Sequence, residues 1–124
     1  MDYRASVLVV DDDEAIREAI ADVLRDEGYR VSMAVNGEQA LRALRGSDAP
    51  DLVLLDLMMP VLSGWEVLEQ IEGDEQLARI PVIVVSAMSG PRSHEHLLKP
   101  IDLDHLLATV RRIAGGLVRQ ARNR

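Results

Sequence analysis

Cysteine and phenylalanine are absent from the 124 residues, and one Trp with two Tyr makes aromatics only 2% of the chain. Without thiols, disulfides, zinc–thiolate centres and cysteine nucleophiles are excluded. With so few rings, Val, Leu, Ile, Ala and Met must fill any core, and little is left to stack on a flavin. No apolar run approaches the ~20 residues of a membrane-spanning helix. The N-terminus, Met1-Asp2-Tyr3-Arg4, has no apolar stretch of signal-peptide length. A cytoplasmic location is the expectation. Positive charge is also short, with 14 Lys and Arg against 21 Asp and Glu for a formal charge of −7. That excess argues against a surface built for phosphate backbones, so neither nucleic-acid nor membrane binding is expected. It suits carboxylates gathered round a cation.

The length fits one domain, and 48% hydrophobic with 28% charged residues is ordinary globular composition. Short apolar runs alternate with amphipathic stretches. Ser6-Val7-Leu8-Val9-Val10, Leu52-Val53-Leu54-Leu55-Asp56 and Val82-Ile83-Val84-Val85-Ser86 are continuous apolar runs, which predict strands buried on both faces of a parallel sheet. Tyr29, Val31, Met33 and Val35 alternate with more polar residues, predicting a half-buried strand nearer an edge, and residues 94–98 are a weaker strand candidate.

Helical spacing recurs in Ile16, Ala19, Ile20, Val23 and Leu24 before Gly28, and in Ala40, Leu41 and Leu44 between the Asn36-Gly37 turn and Gly46. It recurs again in Trp65, Val67, Leu68 and Ile71 before Gly73-Asp74. A last helix, capped by Asp102, has Leu103, Leu106, Leu107, Val110 and Ile113 facing inward, and Gly115-Gly116 should end it. Residues 1–116 then form the domain, and 117–124 a basic tail or the start of a linker. Strand alternating with helix implies right-handed βαβ units in a doubly wound α/β sheet. Such folds bind ligands outside the carboxyl ends of the strands.

Polar groups end these strands: Asp11 and Asp12 after the first, Asp56 after the third, Ser86 after the fourth, Lys99 after the fifth. One sheet edge should therefore collect them. Carboxylates brought together raise one another's pKa unless a cation compensates, and Mg²⁺ is the natural choice for an all-oxygen set. Taken singly, each residue has a plainer role, with Asp12 or Asp13 capping the first helix, Ser86 a loop hydroxyl and Lys99 a solvated side chain.

Val9-Val10-Asp11-Asp12-Asp13-Glu14, Leu54-Leu55-Asp56-Leu57-Met58-Met59-Pro60, Gly64, Val84-Val85-Ser86-Ala87 and Lys99-Pro100 resemble the receiver domain of two-component response regulators, from about residue 6 to 114. The resemblance implies a flavodoxin-like (βα)5 fold and a phosphorylation-dependent signalling switch rather than an enzyme. Asp56 would accept a phosphoryl group from a sensor histidine kinase or phosphotransferase. Asp11, Asp12, Asp56 and the backbone carbonyl of Met58 would hold Mg²⁺, with Asp11 acting mainly through water. Lys99 and Ser86 would meet the phosphoryl oxygens, and Lys99-Pro100 would be a cis peptide.

Two departures from the family pattern stand out. Residues 87–98 alone separate Ser86 from Lys99. A strand of about five leaves roughly seven, whereas an average helix takes about 11–12. The fourth helix is therefore expected to be absent or very short, although seven extended residues still reach ~23 Å. The uncovered face invites a homodimer or another protein partner. Second, the family's aromatic switch position falls on His96, either a pH-sensitive switch or an ordinary polar residue of an edge strand. Met58 and Met88, each two positions past Asp56 and Ser86, either shield the site from water or pack in their loops. The alternative function is a degenerate receiver acting as a phosphorylation-independent dimerisation or partner-binding module. An aspartate-based phosphohydrolase is disfavoured, because its second acid would fall on Met58.

Overall fold

The computed structural model describes residues 5–87 and 94–122, with 118–122 as backbone only. Five strands, β1 (Ser6–Val10), β2 (Arg30–Ala34), β3 (Leu52–Asp56), β4 (Val82–Ser86) and β5 (Glu95–Leu98), form one parallel sheet in the order β2-β1-β3-β4-β5. Helices α1 (Glu14–Asp26), α2 (Gly37–Arg45), α3 (Gly64–Glu72) and α4 (Leu103–Arg122) flank it. Successive residues of a strand point to opposite faces, so the central strands feed two cores. Leu8, Val10, Val53, Leu55 and Val84 pack with Leu41, Leu44, Val67 and Ile71 of α2 and α3. Val7, Val9, Leu54, Ile83 and Val85 pack with Ile20, Leu24, Leu106 and Val110 of α1 and α4. The continuous apolar runs are thereby explained.

Short polar side chains start each helix. Asp13, Asn36 and Ser63 each accept an amide hydrogen bond at the N-terminus of α1, α2 and α3, and Ser63 forms a reciprocal capping box with Glu66. Asp102 accepts from the amides of Asp104 and His105 at the head of α4. Gly28 turns the chain out of α1 at φ 94°.

Several expectations need correction. Trp65 is 45% exposed, because the buried stripe of α3 is Gly64, Val67, Leu68 and Ile71 and Trp65 lies one 100° step away from it. Met33 and Val35 stand 36% and 39% exposed at the end of an edge strand, and Ala34 between them is the buried residue. Leu103 is also 37% exposed, and α4 turns Leu106, Val110 and Ala114 inward with Thr109. The Gly115-Gly116 pair does not end α4, which continues to Arg122. Glycine stops a helix by adopting a left-handed conformation, and among the described glycines only Gly28 has positive φ. The division at residue 116 thus falls inside a helix. β4 ends at Ser86 and β5 starts at Glu95, and residues 88–93, where the sequence predicts the fourth helix to be absent or very short, lie outside the described residues. Met88 lies outside the described residues.

Past β3 the chain makes a tight turn, with the Leu62 amide bonded to the Pro60 carbonyl at 2.9 Å and Val61 at φ 70°. A β-branched residue is strained there, by roughly 1–2 kcal/mol. Glycine removes that strain at a smaller cost in chain entropy. Val61→Gly is expected to raise the urea midpoint with unchanged slope, a gain of about 0.5–1 kcal/mol; an equal or lower midpoint would refute the strain.

Candidate functional site

Parallel strands place their carboxyl ends side by side, and that edge holds the predicted groups. Asp11 follows β1, Asp56 ends β3, Ser86 ends β4 and Lys99 follows β5. Asp56 and Asp11 are only 3% and 2% exposed, whereas Asp12 is exposed. One oxygen from each of these three carboxylates lies within 4.8 Å of the others, a spacing that suits a single cation. Lys99 Nζ donates to Asp11 Oδ2 at 3.2 Å and stands 3.5 Å from Asp56 Oδ2. The second oxygens are held by main chain: Asp11 Oδ1 accepts from the Asp13 amide at 2.9 Å, and Asp56 Oδ1 from the Met58 amide at 3.1 Å.

The backbone around Asp56 leaves no slack. A Cβ on Gly64 would sit 2.3 Å from the Asp56 carbonyl oxygen and 2.5 Å from Leu57 Cα, so the start of α3 can approach β3 only because residue 64 is glycine. Ser86 is 1% exposed, and the Asp56↔Val85 register places it one position beyond Asp56 on the adjoining strand. Its carbonyl accepts from the Lys99 amide at 2.9 Å, and the Lys99-Pro100 bond is cis.

Not every expected residue joins the cluster. His96 is half-buried in the middle of β5 opposite Val84, two positions short of the strand ends, and lines a cavity with Asp102 and His105. The Met58 side chain is 60% exposed, so it does not pack away in its loop. Arg17 was not anticipated. It is 8% exposed on α1, and its Nη1 donates to the Asp11 carbonyl at 2.9 Å. The sequence held one signal for it, a charged residue between Ile16 and Ile20 on the apolar side of the helix.

Electrostatics follow from this crowding. Burial raises the Asp56 pKa above its ordinary 3.8, opposed by the Met58 amide, raised again by Asp11 and opposed by Lys99. For Lys99 burial works against the charge, but Asp11 and Asp56 outweigh it, and its pKa lies above 10.5. Lys99 therefore stays a cation, and its contribution to stability is lost only as pH rises through that raised value. The set as a whole is a partly buried cluster with more anions than cations, and its three carboxylates offer only oxygen donors. A hard divalent cation fits it.

A doubly wound parallel fold gathers acids and a lysine at its carboxyl edge, and sequence comparison gives the family. The family described as the response regulator receiver domain matches residues 7–111. The chain belongs to that family. It is 40% identical over 116 residues to the response regulator RR06 of Streptococcus pneumoniae, covering 86% of this chain and 51% of that protein. It is 35% identical over 114 residues to the DNA-binding dual master transcriptional regulator RpaA of Synechocystis sp., covering 85% and 47%. The chain thus spans about half the length of these curated relatives.

Among solved structures, the receiver domain of a signal transduction histidine kinase from Syntrophus aciditrophicus superposes with a TM-score of 0.82 at 28% identity, covering 90% of this chain and 91% of that one. The receiver domain of sensor histidine kinase PA1611 from Pseudomonas aeruginosa, crystallised with magnesium coordinated in its active-site cleft, gives 0.78 at 30% identity, covering 91% and 99%. Among the described residues no helix is long and apolar enough to cross a membrane.

A raised carboxyl pKa favours the folded state below the unfolded value of 3.8, and that advantage is lost as pH rises through the folded value. At neutral pH without metal, Asp56→Asn is therefore expected to melt above the native protein, the gap closing in acid. Magnesium at 100 times its dissociation constant should restore ~2.7 kcal/mol to the native protein alone. Thermal melts from pH 3 to 8 check this, and an Asn variant less stable at neutral pH would contradict it.

Proposed function

We propose that the chain is a phosphorylation-controlled switch in which Asp56 accepts a phosphoryl group from a sensor histidine kinase or phosphotransferase. One observation carries this reading: the buried Asp56 carboxylate lies 3.5 Å from Lys99 Nζ, within an acid triad of metal-binding spacing. In the transfer, a carboxylate oxygen of Asp56 forms a bond to phosphorus. The bond from phosphorus to the donor's histidine ring nitrogen breaks, and the nitrogen keeps the electron pair. Lys99, already a cation, turns its ammonium toward the phosphoryl oxygens, and the Ser86 hydroxyl donates to one of them.

Asp11, Asp12, Asp56 and the Met58 carbonyl are the residues proposed to hold Mg²⁺, which when bound neutralises charge on those oxygens. Output is by protein contact. The role is that of a signalling protein without an enzymatic step of its own, since Met58 stands where a second acid would be needed for rapid hydrolysis. A second reading, a phosphorylation-independent dimerisation or partner-binding module, draws support from the short 87–94 connection and from His96 at the family's aromatic position.

Beryllofluoride with Mg²⁺ separates the two. The switch predicts amide chemical-shift changes in the native protein that vanish in Asp56→Asn. With a small phosphodonor, Lys99→Met should slow phosphorylation by about 10²-fold. The native rate should fall as pH drops through the raised Asp56 value, where the nucleophile becomes protonated. Light scattering on the same samples reads the homodimer. No spectral response in the native protein would leave only the module reading.

A further inference from the structure

We infer that Arg17 is a positioning residue of this site: by holding the Asp11 carbonyl it sets the peptide plane from which Asp12 projects toward a divalent cation. The inference rests on the magnesium reading of the triad, and it begins from an arginine in an unfavourable place. Buried guanidinium groups are nearly always paired with a carboxylate. Arg17 is 8% exposed, and among the described residues no carboxylate lies within ion-pair distance of it. Its own amide bonds the Asp13 carbonyl at 2.9 Å, at the head of α1, where the helix dipole disfavours a cation. Charge therefore does not explain the placement, whereas geometry does.

The Arg17 hydrogen bond completes the fixation of Asp11. The Asp11 amide donates to the Ala34 carbonyl at 3.2 Å, and its two carboxylate oxygens accept from the Asp13 amide and from Lys99. The carbonyl is the remaining polar group, and Arg17 Nη1 holds it at 2.9 Å. That carbonyl and the Asp12 amide belong to one rigid plane, so fixing the first fixes the second. Asp12 needs this help. It is exposed, and among the described residues its side chain makes no hydrogen bond or ion pair. Among the described residues no side-chain contact restrains it, so its backbone is what fixes the point and the Cα–Cβ axis from which its carboxylate projects.

Positioning and simple electrostatics predict opposite signs. A guanidinium bonded to the Asp11 carbonyl repels a dication held by the nearby triad, so deleting it would tighten magnesium binding if charge were its whole contribution. Deleting a positioning contact weakens binding instead, typically 10- to 100-fold for a group that orients a metal ligand. The test is calorimetric titration of Mg²⁺ into metal-free native protein, Arg17→Met and Arg17→Lys, with folding verified by amide NMR spectra.

The inference expects about 10- to 100-fold weaker binding in Arg17→Met, partial recovery in Arg17→Lys, and a displaced Asp12 amide resonance in the Met variant before metal is added. Should the Met variant not fold, Arg17→Gln carries the same comparison with a neutral donor retained. Binding equal to or tighter than native in a folded variant overturns the assignment of Arg17 alone. Native protein that takes up no magnesium overturns the reading of the triad, and this inference with it.

Discussion

Lys99 stands against two buried carboxylates and a third exposed one, and this imbalance governs the site. Unit charges 4 Å apart interact by about 4 kcal/mol at an effective dielectric constant of 20, so one ammonium cannot offset three mutually repelling anions. Burial is the main reason that the Asp56 pKa is raised, and repulsion from Asp11 adds to it against the Met58 amide and Lys99. A cluster in this condition takes up positive charge readily and responds to any change in it. The fold has to hold it together against its own field.

That holding is done by the hydrophobic layers on either side of the sheet. Every residue of β3 and β4 is buried, which fixes the height of Asp56 and Ser86 to the same layers that carry the two cores. On one face α3 presses on β3 through Gly64, with no room for even a methyl group. On the other, α1 reaches back through Arg17 to the end of β1. The apolar interior thus supplies the rigidity, and main-chain amides of Asp13 and Met58 supply the aim. Of the three carboxylates, Asp12 is the one with no hydrogen bond among the described residues.

What the sequence made legible follows from periodicity. The central strands were readable because a strand covered on both faces has no polar alternation, and the acids were readable because they interrupt those runs. Edge elements were harder. Met33, Val35 and Trp65 are apolar yet exposed, since hydrophobic residues are not confined to the interior and spacing near an edge does not say which are covered. The Gly115-Gly116 pair misled for another reason: composition marks where a helix could stop, while the left-handed backbone that stops it is set by context. Arg17 was invisible as a functional residue because its partner is a backbone carbonyl, and a sequence records no backbone partner.

The shortened β4–β5 connection bears on how the cluster couples to the rest of the molecule. Its two ends are tied to the site, with Ser86 at one end and, just past β5, the Lys99 amide bonded to the Ser86 carbonyl at 2.9 Å. Lys99 in turn reaches both Asp11 and Asp56. Any redistribution of charge among those carboxylates pulls on Lys99, and through one hydrogen bond on the end of β4. Two side-chain contacts add to the β5 ladder, the exposed ion pair of Glu95 with Arg112 of α4 at 2.7 Å and, just before the strand, a hydrogen bond between His94 and Glu72 at 3.1 Å. Exposed pairs of this kind contribute little, on the order of 0–1 kcal/mol. β5 pairs on one edge only, with β4, and Leu97 is the one buried residue of its four, so this edge strand is bound to the sheet less firmly than the fully buried β3 and β4 beside the cluster.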